Sequence, residues 1–176
     1  MPDAPGLELI AQELNGAAEG SVLGTYHEHG QGCLIVNPER ILDVLGWLRD
    51  TPGQEYRFLS SLHGVDYLPA EPRFGVVYEL LNMPRVERLR VKALVPDTED
   101  GSMPELDSVV EIFPTADFQE REVYDFFGIC FRGHPDMRRI LMPEDYVGWP
   151  QRRDFPVGGE PVIFTNTEDT VPGWTR

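Results

Sequence analysis

Twice in the first third of the chain, apolar residues recur at three- and four-residue intervals. In PGLELIAQELNGAA, Leu7, Ile10, Ala11 and Leu14 fall on one face, which predicts an amphipathic helix over residues 5–18. In NPERILDVLGWLRDTPG, Ile41, Leu42, Leu45 and Leu48 line a second such face. Asn37 there suits an N-cap, Pro38 the first turn, and Gly53 follows the stop. Between the two, SVLGTYHEHG and QGCLIVN predict a strand pair turning near Gly30–Gly32. Three more strands follow: YRFLSSLHGVDYL, then RFGVVYELLNM with Phe74, Val76 and Tyr78 alternating against their neighbours, then RLRVKALVP. The last puts Leu89, Val91, Ala93 and Val95 on one face and Arg90 and Lys92 on the other. Short turns between them favour antiparallel neighbours. After the acidic loop PDTEDGSMPE, Ser108–Glu111 and Asp117–Glu120 both have capping-box spacing, so two short helices are expected, the second closed by Gly128. This order predicts an α+β fold, a two-layer sandwich of a mostly antiparallel or mixed sheet with helices on one face.

Beyond Gly128 the pattern breaks. Residues 128–176 hold six of the sixteen prolines and six of the seventeen glycines, and no period there outlasts RRILM. The segment carries too much Phe, Ile, Met, Trp and Tyr for a disordered tail, since those groups favour burial. The expected organisation is an α+β domain over residues 1–127 and an extended partner-binding segment over 128–176. Charge sharpens the division. The whole chain is −15; residues 1–127 hold nine Lys/Arg against 23 Asp/Glu, residues 128–156 five Arg against four acids, and residues 157–176 one Arg against three acids. The middle stretch alone is not acidic, and all its cations are Arg, the side chain suited to planar, bidentate contacts. Fourteen of the fifteen Lys/Arg in the chain are Arg, which weakens that signal. Aromatic and Arg residues strung along an extended backbone describe anchors, either on the chain's own domain or on another protein.

Several function classes fall away. A chain this acidic does not suit nucleic acid, which needs a basic face. No run of eighteen apolar residues occurs, and the N-terminal MPDAPGLELI lacks the basic start and apolar stretch of a signal peptide, so a cytoplasmic protein is expected. Cys33 and Cys130 sit among apolar neighbours without a CxxC partner, which suits buried free thiols rather than a cluster or zinc.

Five groups of reactive side chains remain. His27-Glu28-His29 abuts a turn and has no third ligand in view. His63, Asp66 and Tyr67 could pair as base and orienter, but no nucleophile motif accompanies them; a hydrogen-bonded strand end or an interface patch fits better. Glu120, Arg121, Glu122 and Asp125 suit a locally paired helix, with Arg121 and Asp125 four apart, or a face aimed at a partner. Arg138-Arg139 and Arg152-Arg153 lie beside Asp136, Glu144, Asp145 and Asp154 without phosphate-loop glycines, which favours pairing within the chain or across an interface. His134-Pro135-Asp136 has the form of a turn. A free-standing, metal-assisted hydrolase built on His134, Asp136 and Glu144 is the rival reading.

The stretch EREVYDFFGICFRGHPDMRRILMPEDYVGWPQRRDFP, residues 120–156, resembles the signature of the 30 kDa subunit family (the C-type subunits) of proton-pumping NADH:quinone oxidoreductase, respiratory complex I. GVDYLPAEPRFGVVYELL at 64–81 and RLRVKALVP at 88–96 are similar to that family's sheet. Phe118 and Tyr146 stand where the family usually shows Trp, and Gln151 and Arg153 where it shows Leu and Lys. The resemblance implies a non-catalytic subunit of the hydrophilic arm, peripheral on the cytoplasmic side of the cell membrane. It implies no cofactor on this chain, with FMN, iron–sulfur clusters and quinone held by other subunits. The implied partners are the quinone-pocket large subunit (D type), the terminal-cluster subunit (B type) and the two-cluster ferredoxin-like subunit (I type). Relatives also occur in membrane-bound hydrogenases and in ferredoxin- or deazaflavin-fed complexes. The residues expected at the partner interface are Arg121, Glu122, Phe131, Arg132, His134, Arg138, Arg139, Ile140, Leu141, Tyr146, Trp149, Arg152, Arg153, Asp154 and Phe155. Among them Arg138, Arg139, Arg152 and Arg153 are expected to pair with partner carboxylates.

Overall fold

The computed structural model describes residues 2–98 and 101–156. Its chain order is α1 (Ala4–Ala17), β1 (Val22–Glu28), β2 (Gln31–Val36), α2 (Ile41–Asp50), β3 (Phe58–Asp66), β4 (Phe74–Asn82), β5 (Glu87–Val95), β6 (Glu105–Asp107), α3 (Ala116–Phe127) and β7 (Cys130–Arg132). Five strands form one mixed sheet in the order β1-β2-β5-β4-β3, with β2 and β5 parallel and the other neighbours antiparallel. The β1–β2 turn uses His29 and Gly30, both at positive φ, the conformation a tight two-residue hairpin needs.

Alternation along the strands decides which face is covered. Leu34 and Val36, Leu89, Val91, Ala93 and Val95, and Phe74, Val76, Tyr78 and Leu80 share one face, and all belong to a single buried core with Leu7, Ile10, Ala11 and Leu14 of α1. Helix α2 adds Ile41, Val44, Leu45 and Leu48, whereas the predicted Leu42 is 40% exposed. A turn of 3-10 helix at Pro38–Arg40 precedes α2, and Asn37 caps that turn by accepting from the N–H of Glu39 at 3.1 Å. Helix α3 lies closely on β3: a Cβ at Gly64 would stand 2.6 Å from Cδ2 of Phe127. Gly128 ends α3 at φ 68, the left-handed conformation in which glycine closes helices.

Two sequence expectations change. Residues 108–115 form turns rather than a helix, and neither capping box forms: Glu120 reaches twelve residues back to the Ser108–Val109 segment, and Thr115 precedes α3 without a side-chain cap. The second change is a small parallel sheet of β6 and β7, pairing Glu105, Leu106 and Asp107 with Cys130, Phe131 and Arg132. It carries the core onward through Leu106, Ile129 and Phe131. Of the expected extended segment, residues 157–176 lie outside the described residues.

Candidate functional site: the segment folded back on the sheet

Two buried carboxylates hold residues 133–156 against the domain. The first is Asp125 on α3, whose side chain has no exposed surface. Its Oδ2 accepts from the backbone N–H groups of Ile140, Leu141 and Met142 at 3.0, 2.7 and 2.8 Å, and its Oδ1 accepts from Nη1 of Arg139 at 2.7 Å. Burial alone would raise the Asp125 pKa; the Met142 N–H, the Arg139 guanidinium and the other two N–H groups reverse this and lower it. Arg139 also donates to the carbonyls of Asp125 and Gly148, at 2.9 and 2.8 Å. Its guanidinium lies 4.5 Å from the centre of the Trp149 ring. Trp149 meets Tyr124 of α3 edge-on at 5.3 Å and covers Gly128.

The second is Asp66, at the end of β3. Arg73, itself 7% exposed at its side chain, grips it through both Nε and Nη2, at 3.1 and 3.0 Å, and also binds Asp97 at 2.9 Å and Asp154 at 2.7 Å. The N–H groups of Leu68 and Arg153 complete the acceptor shell of Asp66. Burial works to raise this carboxyl, and Arg73 with the two N–H groups holds it down at about 2. Arg152, 4.9 Å above the Phe74 ring, donates to the carbonyl of Phe127 at 2.6 Å, and Arg153 donates to the carbonyl of Leu68 at 2.5 Å. Desolvation, then the neighbouring Arg73 charge, lowers the Arg152 pKa.

The expected interface residues therefore separate by position. Phe131 lies in the chain's own core. Arg139, Arg152 and Arg153 have acceptors within the chain, as does Arg138 in its exposed pair with Asp136. Arg132 pairs with Asp107, and Asp154 with Arg73. Tyr146 and Phe155 stack on each other at 6.3 Å. His134 has a buried side chain whose Nδ1 accepts from the N–H of Asp136, which leaves Nε2 to donate to the Asp117 carbonyl at 3.1 Å. Arg121 leaves Asp125, its predicted i,i+4 partner, and donates to the carbonyls of Arg138 and Arg139, both at 3.2 Å. Ile140 is half-buried; Glu122 and Leu141 are exposed. Phe118 of α3 is 63% exposed, Leu141 59% and Val147 89%.

The remaining candidates do not converge. His63 and Asp66 are three residues apart on one strand and so face opposite sides of the sheet. His27, Glu28 and His29 are exposed at the hairpin. Among the described residues no three of His, Cys, Asp and Glu are placed to hold a metal ion. Cys33 and Cys130 are free thiols. Residues that sequence reasoning missed are Arg73 and Asp97. Glu120, expected in a locally paired helix, is instead fully buried and hydrogen-bonded to Ser108 and Val109, with no cation among the described residues paired to it; desolvation pushes it up to about 7. No helix among the described residues is long and apolar enough to cross a membrane.

Comparison with known proteins agrees with this geometry. The family described as "Respiratory-chain NADH dehydrogenase, 30 Kd subunit" matches residues 34–161. The chain is 46% identical over 144 residues to the C subunit of NADH-quinone oxidoreductase from Herpetosiphon aurantiacus, covering 82% of each chain. It is 44% identical over 162 residues to its counterpart from Roseiflexus castenholzii, covering 92% and 91%. In structure it is similar to a chain of the membrane-bound sulfane sulfur reductase, an archaeal respiratory membrane complex, with a TM-score of 0.68, 26% identity and 85% of each chain covered. With most of its length matched at this identity, the welded segment included, the chain belongs to the respiratory-chain NADH dehydrogenase 30 kDa subunit family.

Proposed function

We propose that this chain is a cofactor-free assembly subunit in the hydrophilic arm of a quinone-reducing, proton-translocating NADH dehydrogenase. It would lie on the cytoplasmic side of the membrane and hold the quinone-pocket large subunit against the subunits that carry the terminal iron–sulfur clusters. The observation that carries this reading is the seam between α3 and residues 137–149. Asp125, Arg139 and Arg121 are spent there on the chain itself, and Phe118, Leu141 and Val147 are exposed apolar side chains, with the exposed carboxylates Glu122, Glu144 and Asp145 on the same two segments. Exposed apolar groups beside a preorganised backbone suit a protein partner better than a small substrate. FMN, clusters and quinone belong to the companion subunits in this reading. The likeness to the sulfane sulfur reductase chain supports a second reading, the same scaffold in a relative of complex I with another electron input.

The test is recovery of companions from solubilised membranes with the tagged chain. Wild type should bring down a large subunit and cluster-bearing polypeptides. Phe118→Glu with Leu141→Glu should keep the melting temperature of the isolated chain and lower that recovery at least 10-fold. Unchanged recovery would remove the seam as the partner face, and a metal-dependent hydrolytic activity of the chain alone would replace the reading altogether.

A further inference from the structure

Among the described residues, no helix covers the second face of the sheet. Cys33 and Val77 are buried there yet stand outside the core cluster, because their side chains point away from the helices. Around them lie Ile35, Leu94 and Val65, all half-buried, on β2, β5 and β3. At the centre is Lys92, the single lysine of the chain. Its Nζ sits 5.0 Å from the Tyr26 ring centre and 5.3 Å from that of Tyr67, and Tyr67 in turn lies over Gly75.

Charge on this face runs opposite to the rest of the molecule. The neighbouring Arg90 is taken by Glu79 at 2.5 Å. Lys92 is flanked by Tyr26 and Tyr67, and no carboxylate among the described residues pairs with it. Burial works to lower its pKa, and the hydroxyls of Tyr26 and Tyr67 outweigh that and raise it, so it stays an ammonium. A half-buried cation with no counter-charge among the described residues, in a chain of net −15, is an unmatched group on an apolar surface.

We infer that the uncovered sheet face is a second docking surface, and that its occupant is a carboxylate-bearing segment of a companion polypeptide that seats an Asp or Glu on Lys92 between Tyr26 and Tyr67. Apolar contacts to Ile35, Val77 and Leu94 surround that ion pair, which excludes water from it and makes it stronger than an exposed pair. This surface rests on the assembly reading above but is separate from the α3 seam.

A single lysine makes the test direct. The purified assembly and the isolated full chain are acylated with N-hydroxysuccinimidyl acetate, and the peptide holding residue 92 is followed by mass. Lys92 should react at least 10-fold more slowly in the assembly. Carbodiimide coupling of the assembly should join Lys92 by an amide to an Asp or Glu of a companion. Lys92→Glu should cut companion recovery at least 10-fold and Lys92→Arg should restore it, with the isolated variants melting as wild type does. Equal acylation in both samples overturns the inference, as does normal recovery with Lys92→Glu. An amide to an acid within residues 157–176 also overturns it, since the occupant would then be the chain itself. If no companion is recovered at all, the assembly reading fails and takes this one with it; a companion recovered while Lys92 stays reactive removes only this one.

Discussion

Asp125→Asn is the sharpest probe of the welded segment. The substitution keeps the shape of the side chain and removes its charge. If the amide oxygen faces the N–H groups of residues 140–142, the amide NH2 faces the Arg139 guanidinium; turned over, the NH2 faces three backbone donors. In both arrangements donor meets donor at a site with no exposed surface. Breaking one side of a buried pair costs about 3–5 kcal/mol, which corresponds to between two and four powers of ten in the unfolding equilibrium. The assay is urea unfolding followed by fluorescence, with hydrogen exchange at the amides of residues 140–142. If the segment releases ahead of the sheet, exchange at those amides rises further than the global midpoint falls. Adding Arg139→Met should cost less than the sum of the two single changes, because it removes the cation that Asp125→Asn leaves unpaired. A loss under about 1 kcal/mol with unchanged protection of those three amides would refute the reasoning.

Three further outcomes follow from the same geometry. Glu120 is raised from its ordinary value to about 7, so the folded state holds the extra proton: its stability is present below pH 4.5 and lost as pH rises through 7, by about 3 kcal/mol. Asp66, lowered from 3.8 to about 2, acts in the opposite sense, contributing about 2 kcal/mol above pH 3.8 that disappears as pH falls through 2. Urea midpoints should therefore peak near pH 4, and Glu120→Gln should flatten the fall between about pH 4.5 and 7. Gly128→Ala puts a Cβ into a left-handed residue and against Trp149, and should lower stability by at least about 2 kcal/mol, seen as a drop in melting temperature. Arg73→Lys keeps the charge but gives up the two-point grip on Asp66 and the links to Asp97 and Asp154, so it should cost about 2–3 kcal/mol and raise exchange at the Arg153 amide.

Periodicity carried the helices α1 and α2 and the five strands, because each buries one face for two or more turns or several residues and the pattern has room to repeat. It could not show β6 and β7, which are three residues long and take their pairing from each other. Capping-box spacing at Ser108 and Asp117 failed for a related reason: a carboxylate chooses the donors tertiary packing brings to it, and those of Ser108 and Val109 lie twelve and eleven residues from Glu120. The same holds for the segment after Gly128. Local spacing placed acids beside Arg138-Arg139 and Arg152-Arg153, and Asp136 does pair with Arg138. Arg139 instead takes Asp125, fourteen residues away, and Arg153 meets Asp66 through its backbone N–H. Long-range partners leave no spacing to read.

Those partners change how the signature stretch should be understood. An arginine already held by a buried carboxylate of its own chain contributes to shape before it contributes to a contact. A segment ordered in advance would meet a companion with less entropy to lose on binding, so under the proposed reading modest apolar contacts at the exposed Phe118, Leu141 and Val147 would go further than they would on a loose tail. This divides the stretch into two kinds of residue that one pair of measurements separates. Variants of Asp125, Arg139 or Trp149 should lower the melting temperature of the isolated chain, with assembly falling in step. Variants of Phe118 or Leu141 should leave melting unchanged while assembly falls. If Arg139→Met instead melted as wild type and still failed to assemble, its guanidinium would belong to the interface and not to the chain's own architecture.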